Sequence, residues 1–408
     1  MMKKAIQLVF IFLICVSNQV SFSQNLGESN FVGKNYSLKS EELDEERGIQ
    51  IYLPKAYNEG SERSFPVLYV LDGQEYFLHG IAYQDMLYFR DKSPGFIIVG
   101  INTDRRKRRQ LFHSESEKFT AFLREELVPF IDSSYRTKKD KERLFFGWEM
   151  AGGLGLEILV KQRNLFSGFI LASPTHATES RVEALRKFYK VNTDDNTFIL
   201  VTAAPEEHWI KDDSTFLSVI GEGKNTRFTV LDREDHYTTP LKTIHEGLSD
   251  YFADYKPIRL RSIEAYDDYG GLDALVAYYK KRGERYGLSQ DIHKETKHFL
   301  LYNAMQENNY ERFLMYVKAL DGYIETNTRD IWFSRYAKFY LKHGNEKEAL
   351  RIYSFALNKL TKSTLLFEGL GDLYSSQGNK RKAKSNYEKA LLINSELDSV
   401  KKKLEKLN

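Results

Sequence analysis

Seven short β-rich apolar runs alternate with longer amphipathic stretches between about residues 36 and 255, and this alternation constrains the fold most. It is typical of an α/β domain in which helices cover a largely parallel sheet. The predicted strands are GIQIYLP (48–54), PVLYVLD (66–72), FIIVGIN (96–102), RLFFG (143–147), GFILAS (168–173), TFILVT (197–202) and RFTVLD (227–232). A helix predicted over 117–132 places Phe119, Leu123, Leu127 and Phe130 on one face, with Phe122 beside them.

After Pro257 the sequence has helical periodicity only. This region contains a repeat of 34 residues. The equivalent pairs are Phe333/Phe367, Ala337/Gly371, Tyr340/Tyr374, Gly344/Gly378, Asn345/Asn379, Ala349/Ala383, Tyr353/Tyr387 and Ala356/Ala390. Their small residues let two antiparallel helices approach closely, while the aromatic residues fill the space between hairpins. The pattern resembles tetratricopeptide repeats, with a degenerate first repeat at 298–320 and a capping helix in the last fourteen residues. The resemblance implies a protein partner, although the helices could equally serve only to pack on the preceding domain.

The first 23 residues have two lysines, an apolar run and small polar residues, which predicts a secretory signal peptide cleaved before Gln24. The apolar run is too short for a membrane anchor. A lipoprotein signal at Cys15 is disfavoured by the bulky Phe12 and Ile14 before it. We therefore expect an exported protein, periplasmic or secreted, with an α/β domain at 24–256, a helical linker at 257–289 and tetratricopeptide-like repeats at 290–408.

Charge and cysteine content exclude several classes of function. The formal net charge is +3, and loss of Lys3 and Lys4 with the leader leaves the rest nearly neutral, so we expect no nucleic-acid partner. The basic run DRRKRRQ (104–110) is interpreted as a solvated loop or helix face. Cys15 is the only cysteine, which excludes disulfides, thiolate catalysis and cysteine metal sites from the mature chain. We expect no cofactor, no metal and no transmembrane segment.

The stretch RLFFGWEMAGGLGLEIL (143–159) combines a short strand, a glycine-bracketed tight turn and the start of a helix. This layout presents a nucleophile at the end of a strand, and the residue at the turn is Glu149. The nearby Ser167 and Ser173 lack that local context, so they are weak substitutes.

A histidine and several acids follow in the chain order that this kind of site uses. His236 lies on an acidic loop between a predicted strand and a helix. The acid that orients such a histidine is expected after the strand at 197–202, where Glu206 is favoured. Glu207, Asp212 and Asp213 follow the same strand and could take this role instead.

Two backbone N–H groups are candidates for an oxyanion hole, that of Met150 after the turn and that of Gln74 just past Gly73. Glu149, His236 and Glu206 could also ligate zinc by residue type, but no recognisable zinc motif contains them.

Together these segments resemble the esterase family of α/β hydrolases that includes enterochelin and ferric-siderophore esterases and esterase D-like enzymes. The segments ERGIQIYLPKAY, FPVLYVLDGQEYF, IIVGINTDR, FLREELVPFIDSSYRT, GWEMAGG and DREDHYTTP carry the resemblance, in the family's order. Members with C-terminal tetratricopeptide repeats are the most similar. The resemblance implies a serine esterase fold and a small acyl-ester or siderophore-like ligand, but the family has serine where this chain has Glu149.

Glutamate at that position changes the expected chemistry. It is a poor nucleophile towards acyl esters, and we expect it to form a hydrogen-bonded ion pair with His236 that raises the histidine pKa. One interpretation is a pseudo-hydrolase that binds a ligand or partner. A second is an active hydrolase that uses Glu149 as carboxylate nucleophile or general base with His236. The third is an interaction protein whose repeats carry the function.

Overall fold

The computed structural model describes residues 32–59 and 62–407. The predicted signal peptide and its cleavage site lie outside these residues. None of the helices described is both long and apolar enough to cross a bilayer.

One eight-stranded sheet has the order β1-β2-β4-β3-β5-β6-β7-β8. The strands are β1 (Lys34–Ser40), β2 (Glu45–Tyr52), β3 (Val67–Leu71), β4 (Ile97–Ile101), β5 (Arg143–Trp148), β6 (Gly168–Ala172), β7 (Phe198–Ala203) and β8 (Thr226–Val230). β1, β2 and β4 pair antiparallel, and all pairs from β4 through β3 to β8 are parallel. The sequence predicted seven of these strands and missed β1.

Helices cover both faces of the sheet. They are α1 (Gly73–Tyr88), α2 (Ser116–Ala121), α3 (Val128–Ser134), α4 (Met150–Lys161), α5 (Glu179–Val191), α6 (His208–Lys211), α7 (Ser214–Gly221) and α8 (Thr239–Tyr251). A π-helical segment, Phe122–Leu127, joins α2 to α3, so the helix predicted over 117–132 is helical throughout. On its predicted face only Phe130 is incompletely buried.

A region of helices alone follows. They are α9 (Ile263–Asp268), α10 (Gly271–Tyr286), α11 (Lys294–Gln306), α12 (Tyr310–Ala319), α13 (Asp330–Lys342), α14 (Glu346–Lys359), α15 (Thr364–Ser376), α16 (Lys380–Ile393) and α17 (Asp398–Glu405). Shorter turns are the 3₁₀ segments Lys55–Asn58, Lys139–Lys141, Ala253–Tyr255 and Ile324–Thr326 and the π turn Gln110–Ser114.

The 34-residue periodicity corresponds to two helical hairpins, α13–α14 and α15–α16. Gly344 and Gly378 adopt left-handed φ angles of 77° and 71° at the two turns. The next residue in each turn, Asn345 or Asn379, accepts a hydrogen bond from a backbone N–H of the following helix. The 34-residue period of the sequence therefore matches the period of the helical hairpins.

The fold class, an α/β-hydrolase sheet followed by helices, is confirmed.

Candidate functional site

The loops that follow β3, β5, β7 and β8 meet at one edge of the sheet. In parallel strands these carboxyl ends lie on the same side, where open α/β sheets bind their ligands. Asp72 follows β3, Glu149 follows β5, Glu207 follows β7, and His236 lies on the loop after β8. Residues far apart in sequence therefore become neighbours there.

Glu149 lies in a strained turn between β5 and α4, with φ 56° and ψ −120°. Residues other than glycine rarely adopt such a φ, and strained residues are concentrated at functional sites. The Glu149 carbonyl accepts from Thr175 N at 3.0 Å, and the Glu149 N–H donates to Ala172 O at 3.0 Å. The glycines permit close approach, since a Cβ at Gly153 would lie 2.1 Å from Thr175 O.

The Glu149 carboxylate forms an ion pair with the Nη1 group of Arg108. Arg108 also donates from Nε and Nη2 to Asp72, at 3.1–3.2 Å, and from Nη2 to Trp148 O at 3.3 Å. The side chains of Arg108 and Asp72 are only 9% and 2% exposed. Burial raises the pKa of Asp72, and the charge of Arg108 opposes that rise. We call these three residues the Asp72–Arg108–Glu149 cluster.

The cluster corrects two predictions. Arg108 belongs to the basic run at 104–110, yet it is buried rather than solvated, while its neighbours Arg105 and Arg106 remain exposed. The carboxylate of Glu149 pairs with Arg108 instead of His236. A buried guanidinium that faces Asp72 on one side can bind a second carboxylate on the other, and this competes with the expected histidine contact.

His236 has a different acidic partner. Its Nδ1 lies 2.5 Å from Glu207 Oε1, and the Glu207 side chain is fully buried. The other oxygen of Glu207 accepts from Ala204 N at 2.6 Å, which fixes the carboxylate. The hydrogen bond to Glu207 is the main reason why the pKa of His236 is raised, with smaller contributions from the charges of Glu207, Glu149 and Glu206.

The sequence favoured Glu206 as the acid that orients the imidazole, and this prediction is wrong. Its carboxylate accepts from the backbone N–H of His236 at 3.0 Å, because adjacent residues of the loop point in different directions. Asp212 and Asp213 make contacts away from the imidazole. Asp212 lies 2.7 Å from His208 Nδ1, and Asp213 caps α7 by accepting from Thr215 N and Phe216 N.

The proposed oxyanion donors, Gln74 and Met150, lie in the first turns of α1 and α4. The first N–H groups of a helix lack partners within the helix, so both are of the right kind to bind an anionic oxygen. The Gln74 side chain accepts from Thr103 N at 2.9 Å and anchors the start of α1 beside β4.

Neither nearby serine occupies a nucleophile position, and the zinc interpretation that residue types alone allowed gains no support. Ser167 precedes β6, at the opposite edge of the sheet, and bonds to Arg143 O. Ser173 is fully buried and bonds to Thr239 Oγ1 at 2.7 Å. Within residues 32–59 and 62–407, no three His, Cys, Asp or Glu side chains are grouped as metal ligands, so Glu149, His236 and Glu206 form no such site.

A cleft of about 430 Å³ opens beside the cluster. It is lined by Glu75, Tyr76, His79, Arg105, Arg108, Trp148, Tyr237 and Leu241. Trp148 connects the cleft to the histidine loop, because its indole N–H donates to His236 O at 2.9 Å. Around His236, Tyr237 and Trp209 have ring centres 5.3 and 6.1 Å from the imidazole. Their side chains are 77% and 55% exposed, which is unusual for aromatic residues and typical of a binding surface.

Fold and site together define an esterase-like α/β hydrolase. Residues 40–238 match the family described as "Putative esterase". The resemblance predicted from the sequence is thus confirmed.

Two solved structures and one curated relative are similar to this chain. The crystal structure of an IroE-like serine hydrolase from Shewanella oneidensis is 21% identical, covers 70% of this chain and 97% of that one, and has a TM-score of 0.51. An uncharacterised protein from Capnocytophaga ochracea is 17% identical, covers 92% of this chain and 99% of that one, and has a TM-score of 0.56. At these identities both show the fold alone. Uncharacterized protein YjcH of Bacillus subtilis is 31% identical over 142 residues, which span 33% of this chain and 58% of that relative.

Proposed function

We propose that the α/β part is a pseudo-hydrolase in which Glu149 occupies the nucleophile position and the cleft binds a small acyl-ester or siderophore-like ligand without turnover. The pairing of Glu149 with the buried Arg108 carries this proposal. A serine esterase needs a neutral hydroxyl that histidine deprotonates during attack. A carboxylate paired with a guanidinium lacks that hydroxyl, and the opposite charge beside it makes its oxygens weaker nucleophiles.

The size of the side chain supports the same conclusion. From Cα to the carboxyl carbon, glutamate has as many atoms as an acylated serine has from Cα to its acyl carbon. The Glu149 carboxylate therefore fills space that the acyl group of a covalent intermediate would need. Attack by this carboxylate on an ester would also produce a reactive mixed anhydride.

Ester turnover and covalent labelling test the proposal. We expect no hydrolysis of p-nitrophenyl acetate by the wild-type protein and no labelling by a fluorophosphonate. The Glu149→Ser variant should gain both, because His236 keeps its hydrogen bond to Glu207. The double variant Glu149→Ser/His236→Ala is the control and should lack the gain.

A second candidate is an active hydrolase with Glu149 as nucleophile or general base. The intact hydrogen bond between His236 and Glu207 favours it, since that pair could still activate water. Wild-type turnover that Glu149→Gln abolishes would establish this candidate and overturn the pseudo-hydrolase.

The helical region is proposed to be tetratricopeptide-like and to bind a protein partner. Trp332 lies at the centre of a cluster of aromatic and cationic side chains in this region. The centre of its ring is 4.3 Å from the His298 ring and 4.6 Å from the Arg335 guanidinium. Tyr302 lies 6.1 Å away. We expect Trp332→Ala to reduce the retention of any partner that the wild-type protein captures, while Phe355→Ala, on another helix, should not.

A further inference from the structure

An apolar stripe runs along the outer face of α1, away from the sheet. Leu78, Met86 and Phe89 are 59%, 53% and 69% exposed, and Ala82 between them is exposed as well. At 3.6 residues per turn these four positions fall within about 80° of arc. Leu78, Ala82, Met86 and Phe89 are called the α1 stripe below.

The opposite face of α1 is already buried. Phe77 and Ile81 pack in the core, and Tyr83 contacts α8 through Ser249 at 3.0 Å. On the outer side of α1 the stripe is flanked by the polar residues Gln74, His79 and Asp85, as an apolar contact surface with a polar rim would be. Scattered exposed apolar residues need no explanation, but four aligned on one helix form a patch of the kind that marks an interface.

We propose that the α1 stripe is a two-fold interface, covered by α1 of a second copy of this chain running antiparallel. The spacing of the stripe carries this choice of occupant. Leu78 and Met86 lie four residues on either side of Ala82, so a two-fold axis at Ala82 places Leu78 of each copy against Met86 of the other. The small side chain at the centre lets the helices approach, and large ones fill the spaces beside it.

Charge supports the same register. Glu75, which pairs with the exposed Arg105 of its own chain, lies seven residues before Ala82, and Arg90 lies eight residues after it. The antiparallel arrangement therefore brings Glu75 of one copy near Arg90 of the other, twice per dimer. A parallel arrangement would place like charges together. Since α1 is only about 24 Å long, the interface is of the small class, and we expect a dissociation constant of about 10 µM.

The dimer would also extend the candidate site. Glu75, Tyr76 and His79, from the first turns of α1, line the cleft. A two-fold axis at Ala82 pairs position 75 with position 89, so Phe89 of the second copy would lie beside Glu75 at the cleft. The two clefts of a dimer would therefore be partly walled by each other's helices.

Sedimentation velocity across a range of concentrations around that value tests the association. We expect a monomer–dimer equilibrium that Met86→Glu weakens by at least about tenfold. Leu392→Glu is the matched control, because Leu392 is 86% exposed on α16, far along the chain, and should leave the equilibrium unchanged. Arg90→Glu should also weaken the dimer, because it places a carboxylate near Glu75 of the other copy.

A single-cysteine variant tests the register independently of any folding defect. In a Cys15→Ser background, Ala82→Cys provides the only thiol. Cross-linking of the two copies requires Cα atoms about 4.4–6.8 Å apart, which the proposed axis provides. We expect rapid disulfide formation under mild oxidation, and little for Leu392→Cys.

Three results would overturn the proposal. They are a wild-type protein that stays monomeric, an effect of Leu392→Glu equal to that of Met86→Glu, and an Ala82→Cys variant that cross-links no faster than the control. A monomer that cosediments with phosphatidylglycerol vesicles through the stripe would instead assign it to a lipid surface. None of these outcomes depends on whether the site hydrolyses esters.

Discussion

Arg108 is buried between two carboxylates, and the electrostatics of the site depend on it. Its guanidinium contacts Asp72, Glu149 and the carbonyl oxygen of Trp148, so it holds the ends of two strands in one arrangement. Its centre also lies 5.1 Å from the Trp148 ring. Two carboxylates this close would repel each other without the cation, so Arg108 offsets the charges of Asp72 and Glu149 beside the turn.

We expect Arg108→Met to destabilise the protein by about 3 kcal/mol at pH 8, since it leaves Asp72 and Glu149 without a counter-charge. Burial raises the pKa of Asp72, and loss of Arg108 raises it further. The native state then keeps a proton that the unfolded chain loses above about pH 4. The loss of stability should therefore grow with pH and be smaller at pH 5 than at pH 8 in urea unfolding.

Arg105→Met is the control for this variant. Arg105 lies in the same loop and pairs with Glu75 at 2.7 Å, but its side chain is 80% exposed. We expect a change below about 1 kcal/mol with little pH dependence. Equal effects of the two substitutions would show that burial of Arg108 is unimportant.

Glu207 is expected to control the protonation of His236. Its hydrogen bond raises the pKa of His236, so Glu207→Gln should lower that pKa, as followed by NMR titration of the imidazole. A raised histidine pKa stabilises the native state fully below the unfolded value of about 6.5, and this contribution is lost as pH rises through the native value. Glu207→Gln should therefore lower the free energy of unfolding by about 2 kcal/mol at pH 6 and by less at pH 9.

The neighbouring acid supplies a matched control for this prediction. Glu206 accepts from the backbone N–H of His236 rather than from the imidazole, so Glu206→Gln should shift the histidine pKa much less. A larger shift for Glu206→Gln than for Glu207→Gln would contradict the assignment.

The sequence predicted part of this site. The glycine-bracketed turn and the chain order identified Glu149 and His236, because both signals are local. The choice between Glu206 and Glu207 was not accessible, since it depends on which way each side chain leaves the loop. Arg108 was missed because five basic residues in a row indicate a solvated surface, and only the folded chain places one of them beside Asp72.

At the scale of elements, the approach of α4 to the loop after β6 is the tightest requirement. A Cβ at Gly153 would lie 2.1 Å from the backbone oxygen of Thr175, which has little room to move. We expect Gly153→Ala to destabilise the protein by about 3 kcal/mol in urea unfolding. Gly221→Ala, at the end of α7 with nothing within 4 Å of its Cβ, should change stability by less than about 1 kcal/mol. A neutral Gly153→Ala would mean that α4 does not pack this closely.

A strand or helix could be predicted where its burial left a recognisable pattern of apolar residues in the sequence. β3, β4, β5, β6 and β7 are buried along their whole length, and each reads as an apolar run. The edge strand β1 is largely exposed, and its sequence KNYSLKS contains too few apolar residues to signal a strand. The helical hairpins were visible because Ala349 and Ala383, both fully buried, must stay small at the same place in each repeat.

At the scale of the whole molecule, a polar network centred on the buried Glu142 joins the α/β part to the helices. Arg285, on α10, donates to Glu142 at 2.7 and 3.1 Å and to Asp254 at 2.8 Å. Glu142 is nearly buried and also accepts from Tyr251 at 2.8 Å. Because Glu142 directly precedes β5, the helical region is tied to the start of the strand that ends just before Glu149.

This connection predicts how the molecule unfolds. We expect the wild-type protein to unfold in one calorimetric transition, and Arg285→Ala to separate it into two, because a buried Glu142 loses its counter-charge. The substitution should lower the free energy of unfolding by about 3 kcal/mol, mainly that of the α/β part. Arg312→Ala is the control, since it removes an exposed ion pair with Asp267 inside the helical region and should cost about 0.5 kcal/mol. A wild-type protein that already unfolds in two steps, or equal effects of the two variants, would show that the network does not couple the two parts.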